Sequence, residues 1–247
     1  MKLLLLLVVL FYNAYAIITI APVDIGEKPG VSGMLKGSFE TKRGNTDLDN
    51  YSAGFRVQYD DNNSYVLWSD FVFSYGMTSG VKNTNKTYAH LRYIHSLYEK
   101  SINWETFVQS ETNEFTKVKH RFLGGGGLRF QNQEHSWGKL HSGVGAFYED
   151  IAYTTNVDPS EQNLRINTYL AWTKYFTKES SISYVFYYQP KADEFSDYIT
   201  SHGVELTVYV YKQLYVNFVF YYDYDSVPAI GVKKEDVTQK TSFIYKF

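Results

Sequence analysis

The chain has no cysteine. That removes disulfide frameworks, thiolate metal centres and a lipid-modified cysteine at the head of a mature protein. Beyond the first sixteen residues no apolar run approaches the ~18 residues a membrane helix needs. No sustained apolar period of 3.6 occurs there either, which argues against a helical domain. A basic excess is missing as well. The 24 Lys and Arg stand against 26 Asp and Glu, a formal charge of −2, so a nucleic-acid partner is not expected. Proline is scarce, five in 247 residues, and two of them, Pro22 and Pro29, precede residue 31. Acidic residues do cluster, as at Asp223, Asp225, Glu235 and Asp236. They lack the dense spacing of a calcium loop, and neither a metal nor another cofactor is expected.

What the chain does have begins with MKLLLLLVVLFYNAYA. A basic residue, a short apolar core and Ala14-Tyr15-Ala16 form a secretory signal peptide, with cleavage expected after Ala16. Residues 17–30 read as an irregular leader, and 31–247 as one all-β domain. Aromatics are abundant: 24 Tyr, 17 Phe and 4 Trp make up 18% of the chain. From Val31 onward the governing period is two. In INWETFVQ (102–109), Ile102, Trp104, Thr106 and Val108 share one face, and Asn103, Glu105 and Gln109 the other. NYSAGFRVQY (50–59) and LYVNFVFYY (214–222) alternate in the same way.

Turn residues divide the domain into about twelve strands of the length an outer-membrane barrel requires. The expected spans are 31–43, 48–60, 64–76, 85–96, 101–112, 117–131, 137–150, 163–176, 181–190, 198–210, 213–224 and 236–247. Short connections such as DNNS (61–64) and YKQ (211–213) alternate with mostly longer ones. GMTSGVKNTN (76–85) and DYDSVPAIGVKKED (223–236) are examples of the longer kind. That alternation fits an antiparallel transmembrane β-barrel in the bacterial outer membrane, with both termini on the short-turn, periplasmic side. The final strand, VTQKTSFIYKF, ends on Phe247. An amphipathic strand with a terminal aromatic resembles the signal read by the barrel assembly machinery. A secreted β-sandwich or lipocalin-like barrel is the competing fold, and it leaves the loop alternation unexplained.

Gly124, Gly125, Gly126 and Gly127 fall inside the sixth strand, in HRFLGGGGLRF. No Lys-Ser or Lys-Thr follows them, so they are not a phosphate-binding loop. A hairpin near Asn132–Ser136 would lay them beside Gly143 and Gly145. We expect this patch to bend the wall, with a bulge or a bulky neighbour packed from inside as further uses of the missing side chains.

The segment TYAHLRYIHSLYEKSINWETFVQSETNEFTKVKHRFLGGGGLRF (87–130) resembles the family of salt-induced outer-membrane proteins, a domain of unknown function. FETKRGNTDLDNYSAGFRVQYD (39–60), KLHSGVGAFYED (139–150) and SVPAIGVKKEDV (226–237) fit the same pattern in order. The resemblance implies a barrel and an outer-membrane location, and it carries no established activity.

If the aromatic faces meet lipid, the opposite parity faces the lumen. Arg or Lys at the bilayer midplane costs roughly 2–4 kcal/mol, so these charges belong inside or at the rims. The expected lumen set is Lys36, Glu40, Arg56, Asp70, Arg92, Glu105, Lys117, Lys119, Arg121, Arg129, Arg165 and Glu205, with Lys139 and His141 in phase. Lys117, Lys119, Arg121 and Arg129 on one strand would make a positive ladder. The expected function is a narrow channel for small hydrophilic solutes, anions among them. A structural or stress-responsive barrel with a filled lumen is the alternative. A lipid hydrolase is disfavoured, because His135-Ser136, His141-Ser142 and Ser201-His202 are sequence neighbours and point to opposite faces of a strand. No catalytic residue is expected. Lipid and lipopolysaccharide are the expected partners, beside the assembly machinery, and the sequence does not set an oligomeric state.

Overall fold

A computed structural model describes residues 23–42, 48–132, 135–155 and 157–247. The expected signal peptide and the first part of the leader lie outside the described residues. Twelve strands follow: β1 (Gly30–Lys42), β2 (Leu48–Asp60), β3 (Tyr65–Thr78), β4 (Val81–Tyr98), β5 (Ile102–Asn113), β6 (Val118–Gln131), β7 (Lys139–Tyr153), β8 (Glu161–Tyr175), β9 (Ser181–Pro190), β10 (Tyr198–Tyr211), β11 (Leu214–Asp225) and β12 (Glu235–Lys246). Each pairs antiparallel with its sequence neighbours, and β1 closes on β12. The all-β expectation holds, and the strand bounds agree to within a few residues.

One connection differs. The ten-residue loop expected at 76–85 is a hairpin arm, in which β3 and β4 run on to Thr78 and Val81. Ser79 and Gly80 turn the chain at φ 48° and 78°. Two successive left-handed residues form a turn whose twist matches paired strands, so the ladder is carried onward instead of opening into a loop. At the opposite end Asp61 organises the DNNS turn. Its Oδ1 accepts from the amides of Asn63, Ser64 and Tyr65 at 2.9, 2.7 and 2.8 Å. Burial raises that carboxyl, but these hydrogen bonds outweigh it and hold the group well below the usual carboxylate range.

Alternation decides what each face meets. On β5, Asn103, Glu105, Phe107, Gln109, Glu111 and Asn113 are buried, while Trp104, Thr106, Val108, Ser110 and Thr112 are exposed. Apolar side chains recur outward on β2, β3, β4, β6, β7, β8 and β11, where Phe55, Phe71, Leu91, Leu128, Val144, Leu170 and Phe218 are all exposed. A largely apolar band on the outside of a closed ladder is what a barrel presents to lipid. Aromatic rings gather at both rims. Tyr59, Tyr65, Tyr93 and Trp104 follow one another with centroids 5.9, 5.5 and 5.3 Å apart near the short turns. Tyr188, Tyr198 and Tyr224 do the same at 5.6 and 5.7 Å near the long loops. Not every aromatic faces out, however: Trp68, Tyr88, Phe107, Phe147, Tyr169 and Tyr187 are buried inside.

The glycine patch lies where the backbones of β5 and β7 crowd β6. No bulge interrupts it, since Gly124↔Tyr148 through Gly127↔Gly145 pair in unbroken register. The irregularity of β6 sits instead between Val118 and His120. A Cβ on Gly127 would collide with the Val144 carbonyl and the Gly145 Cα, and one on Gly143 would enter the Tyr169 ring. The patch therefore clears room for a neighbouring backbone and for one inward ring.

The seam is the shortest ladder. Met34↔Lys246 to Gly37↔Phe243 are its strand pairs. Phe247 extends it, donating its amide to the Gly33 carbonyl at 3.0 Å and accepting from the Gly33 amide at 2.9 Å. Its ring fills the space where a Gly33 side chain would stand.

Two outcomes follow. Gly143→Ala lowers the thermal midpoint, read as loss of the fast-migrating folded band on unboiled gels, by an overpacking cost of about 1–3 kcal/mol. Gly124→Ala, whose added methyl meets only Phe122 at 3.8 Å, leaves the midpoint unchanged. Separately, Phe247→Ala reduces the fraction of chain recovered in the heat-modifiable form, because the seam loses its final ring contact.

Candidate functional site: the lumen

The interior has three levels, each built from inward-parity side chains. The first is the short-turn mouth, which the described part of the leader crosses. On one wall the amides of Gly26 and Lys28 donate to the Asp60 carboxylate of β2 at 2.8 and 3.1 Å. On the far wall Asp24 Oδ1 accepts from Arg129 Nη2 at 2.8 Å and His141 Nε2 at 2.7 Å, and Oδ2 from Lys139 Nζ at 2.7 Å. Arg129 Nη1 also donates to the Val23 carbonyl at 2.6 Å. Tyr175 Oη donates to Glu27 Oε1 at 2.9 Å. Ile25 packs on buried Val66 and Ile94. The segment is thus a bar across the opening, tied to β2 on one side and to β6, β7 and β8 on the other. Burial raises the Asp24 carboxyl, but the His141 hydrogen bond and the Arg129 and Lys139 charges more than reverse it and hold it well below the ordinary range.

The waist comes next. Arg56 pairs with Asp70 at 2.7 Å and Arg92 with Glu105 at 3.4 Å, both between adjacent strands. Lys36 reaches past β11 and β12 to Glu205 at 3.8 Å. Both guanidinium groups lie against the Trp68 ring, at 4.9 and 5.6 Å from its centroid, and Arg92 also covers Phe107 at 5.2 Å. His90 stacks on Trp68 at 4.9 Å. From the opposite wall Tyr187 faces Arg92, and Tyr169 packs on Tyr187 at 5.3 Å. Here single side chains, not chain segments, span the barrel. Arg56 Nε, Trp68 Nε1, Arg92 Nε and, one level down, Arg129 Nε are buried without a hydrogen-bond partner among the described residues.

At the long-loop mouth the balance shifts toward acid. Glu149 sits between two arginines, accepting from Arg121 Nε and Arg165 Nε at 2.7 Å each. Arg165 continues to Asp197 at 3.1 Å. Lys191 bridges Asp197 and Glu161 at 2.6 and 2.9 Å, and these two carboxylates raise its pKa against the opposing effect of burial. Lys86 pairs with Glu111 at 2.9 Å, and Ser201 donates to Asp223. Glu111, Arg121, Glu149, Glu161, Arg165, Asp197 and Asp223, with Asp225 and Asp236, line a cavity of about 100 Å³.

Most of the expected lumen set does point inward: Lys36, Arg56, Asp70, Arg92, Glu105, Arg121, Arg129, Arg165 and Glu205, with Lys139 and His141. Glu40 pairs with Asn50 in the β1–β2 ladder, and its side chain lies outside the described residues. The positive ladder is a correction. Lys117 lies before β6, in a turn at φ 59°, with its Nζ 2.5 Å from the Ile230 carbonyl. Lys119 is exposed beside the bulge that breaks the alternation. Arg121 and Arg129 remain inside, each neutralised by a carboxylate. Sequence reasoning missed Asp24, because it sits in the irregular leader. It also missed Glu149, although that residue is in phase with His141 along β7. Ser201 and His202 do not meet: Ser201 faces Asp223 inside, whereas the His202 ring meets the Tyr184 hydroxyl at 2.9 Å.

Among curated proteins none matches this sequence. Among solved structures, an outer-membrane channel from Pseudomonas putida F1 aligns with a TM-score of 0.59 at 12% identity, over 93% of this chain and 100% of its own. The NanC porin aligns at 0.49 and 11% identity, covering 88% and 98%. The KdgM porin aligns at 0.46 and 13%, covering 87% and 99%. At these identities the likeness is one of fold: a closed barrel of the outer-membrane kind. The sequence match is more specific, for residues 37–247 fit a single family, and the chain accordingly belongs to the proteins of unknown function grouped as DUF481.

Proposed function

We propose that this barrel is a narrow channel of the bacterial outer membrane for small hydrophilic solutes, with a preference for anions set at its waist. The observation that carries this reading is the unpartnered donor set there. Arg56 Nε, Trp68 Nε1 and Arg92 Nε face the interior with no protein acceptor among the described residues. A buried donor left unmade costs about 1–3 kcal/mol, so a permanently dry interior is a poor use of three of them. Water and anions would satisfy all three once the waist rings move aside, the opening that this reading requires. The long-loop mouth is acid-rich, which confines any anion preference to the waist and the level below it.

Outer-membrane residence, contact with lipid and lipopolysaccharide, and delivery by the assembly machinery through the strand ending at Phe247 belong to the same reading. Catalysis does not, since the His-Ser neighbours diverge. A second reading, a structural or stress-responsive barrel with a filled lumen, draws on the burial of Trp68, Arg92, Glu105, Tyr169 and Tyr187 to a few per cent exposure. It keeps a salt-stress role as its physiological setting.

Planar-bilayer recording separates the two. The channel gives discrete conductance steps, Tyr187→Ala enlarges them, and Arg92→Gln moves the reversal potential in a salt gradient toward cations. A bilayer silent for both the parent and Tyr187→Ala leaves the filled barrel as the function.

A further inference from the structure

The bar across the short-turn mouth contains a carboxylate already held in a receptor. Asp24 is almost completely buried, and its three partners come from the wall: Arg129 and His141 on Oδ1, Lys139 on Oδ2. Arg129 is 1% exposed and His141 4%, so these donors are set in the wall and are not surface side chains that happen to reach the segment. Two of the three carry positive charge, and Asp24 is the carboxylate they share. The donor capacity is not exhausted either. Arg129 Nε is buried and unpartnered, beside an Nη2 engaged by Asp24 and an Nη1 engaged only by a backbone carbonyl. A guanidinium edge with one free and one occupied donor suits a two-oxygen anion seated bidentately.

We infer that Arg129, Lys139 and His141 form a binding site for a solute carboxylate, and that Asp24 of the chain's own amino-terminal segment occupies it until such a solute takes its place. The ligand class is a small organic anion bearing a free carboxylate. The Asp60 anchor is independent of this exchange, because Gly26 and Lys28 bind it through backbone amides. Replacement of Asp24 therefore loosens Val23–Ile25 while the rest of the bar stays tied to β2. Arriving solute thus opens the mouth it is about to pass. This deepens the channel reading and rests on it for its purpose, but the exchange itself is measurable without conduction.

The absence of native cysteine makes the test direct. Ile25→Cys gives a single thiol on the buried face of the bar, since Ile25 is 8% exposed, and Lys178→Cys on an exposed turn reports general reactivity. The rate of reaction with a polar maleimide is measured on full-length protein whose gel mobility shows it folded. Val23→Cys replaces Ile25→Cys if the latter does not fold. Acetate should accelerate labelling at position 25 about tenfold, within the usual range for coupled binding. Acetamide, and sodium chloride at equal ionic strength, should not, and position 178 should be indifferent to all three. Adding Asp24→Asn should give fast labelling with no further response to acetate. Equal acceleration by chloride would reduce the effect to charge screening and overturn the inference. So would slow labelling in the Asp24→Asn protein, or fast labelling there with no acetate effect in the parent. A positive labelling result with silent bilayers would remove the channel and leave the carboxylate site standing.

Discussion

Everything in this protein depends on how its backbone hydrogen bonds are satisfied in oil. In hydrocarbon no water is available for an unpaired amide or carbonyl, each of which costs several kcal/mol. A chain without long apolar runs can meet that condition by closing a sheet on itself, and the ring from β1 round to β12 does so. Closure then dictates the chemistry of the side chains. Every second residue is forced outward, where apolar side chains predominate, and every other is forced inward and is free to be charged. The aromatic rims, the ionised interior and the near-neutral composition all descend from that division.

The charged interior carries a cost that its own geometry offsets. Removing ions from water is expensive, and a buried charge is tolerable only when it is paired and hydrogen-bonded. Glu149 between Arg121 and Arg165, Arg92 with Glu105, and Asp24 among three donors follow that rule. The pairs differ in kind. Those on adjacent strands of one wall reinforce the cylinder. The Arg92–Tyr187 contact and the Asp24 bar instead join opposite walls, and so determine how much of the interior is open.

Much of this was legible in the sequence, for a physical reason. Period-two alternation survives only where both faces are constrained, so β2, β5 and β11 could be read almost residue by residue. Legibility failed where local backbone geometry overrode the alternation. Ser79 and Gly80 turned an expected loop into a hairpin arm. The bulge at Val118–His120 took Lys119 out of phase, and with it went the ladder of four cations. Asp24 was invisible for another reason: an irregular segment has no parity, and only the folded chain brings it to Arg129, 105 residues away. The inward aromatics ran against the expectation that aromatic faces meet lipid, because Tyr169 and Tyr187 needed bare glycine and a guanidinium opposite before their placement made sense.

The four-pair junction between β1 and β12 has a mechanical meaning. A cylinder strained by heat or by a crowded bilayer yields at its least-stitched line, and here that line coincides with the two ends of the domain. Parting it requires no covalent linkage to move aside, so the sheet can unroll and re-roll as one piece. Glu149 keeps Arg121 and Arg165 throughout, since β6, β7 and β8 lie away from the tear, whereas the Lys36–Glu205 bridge crosses it and parts with it.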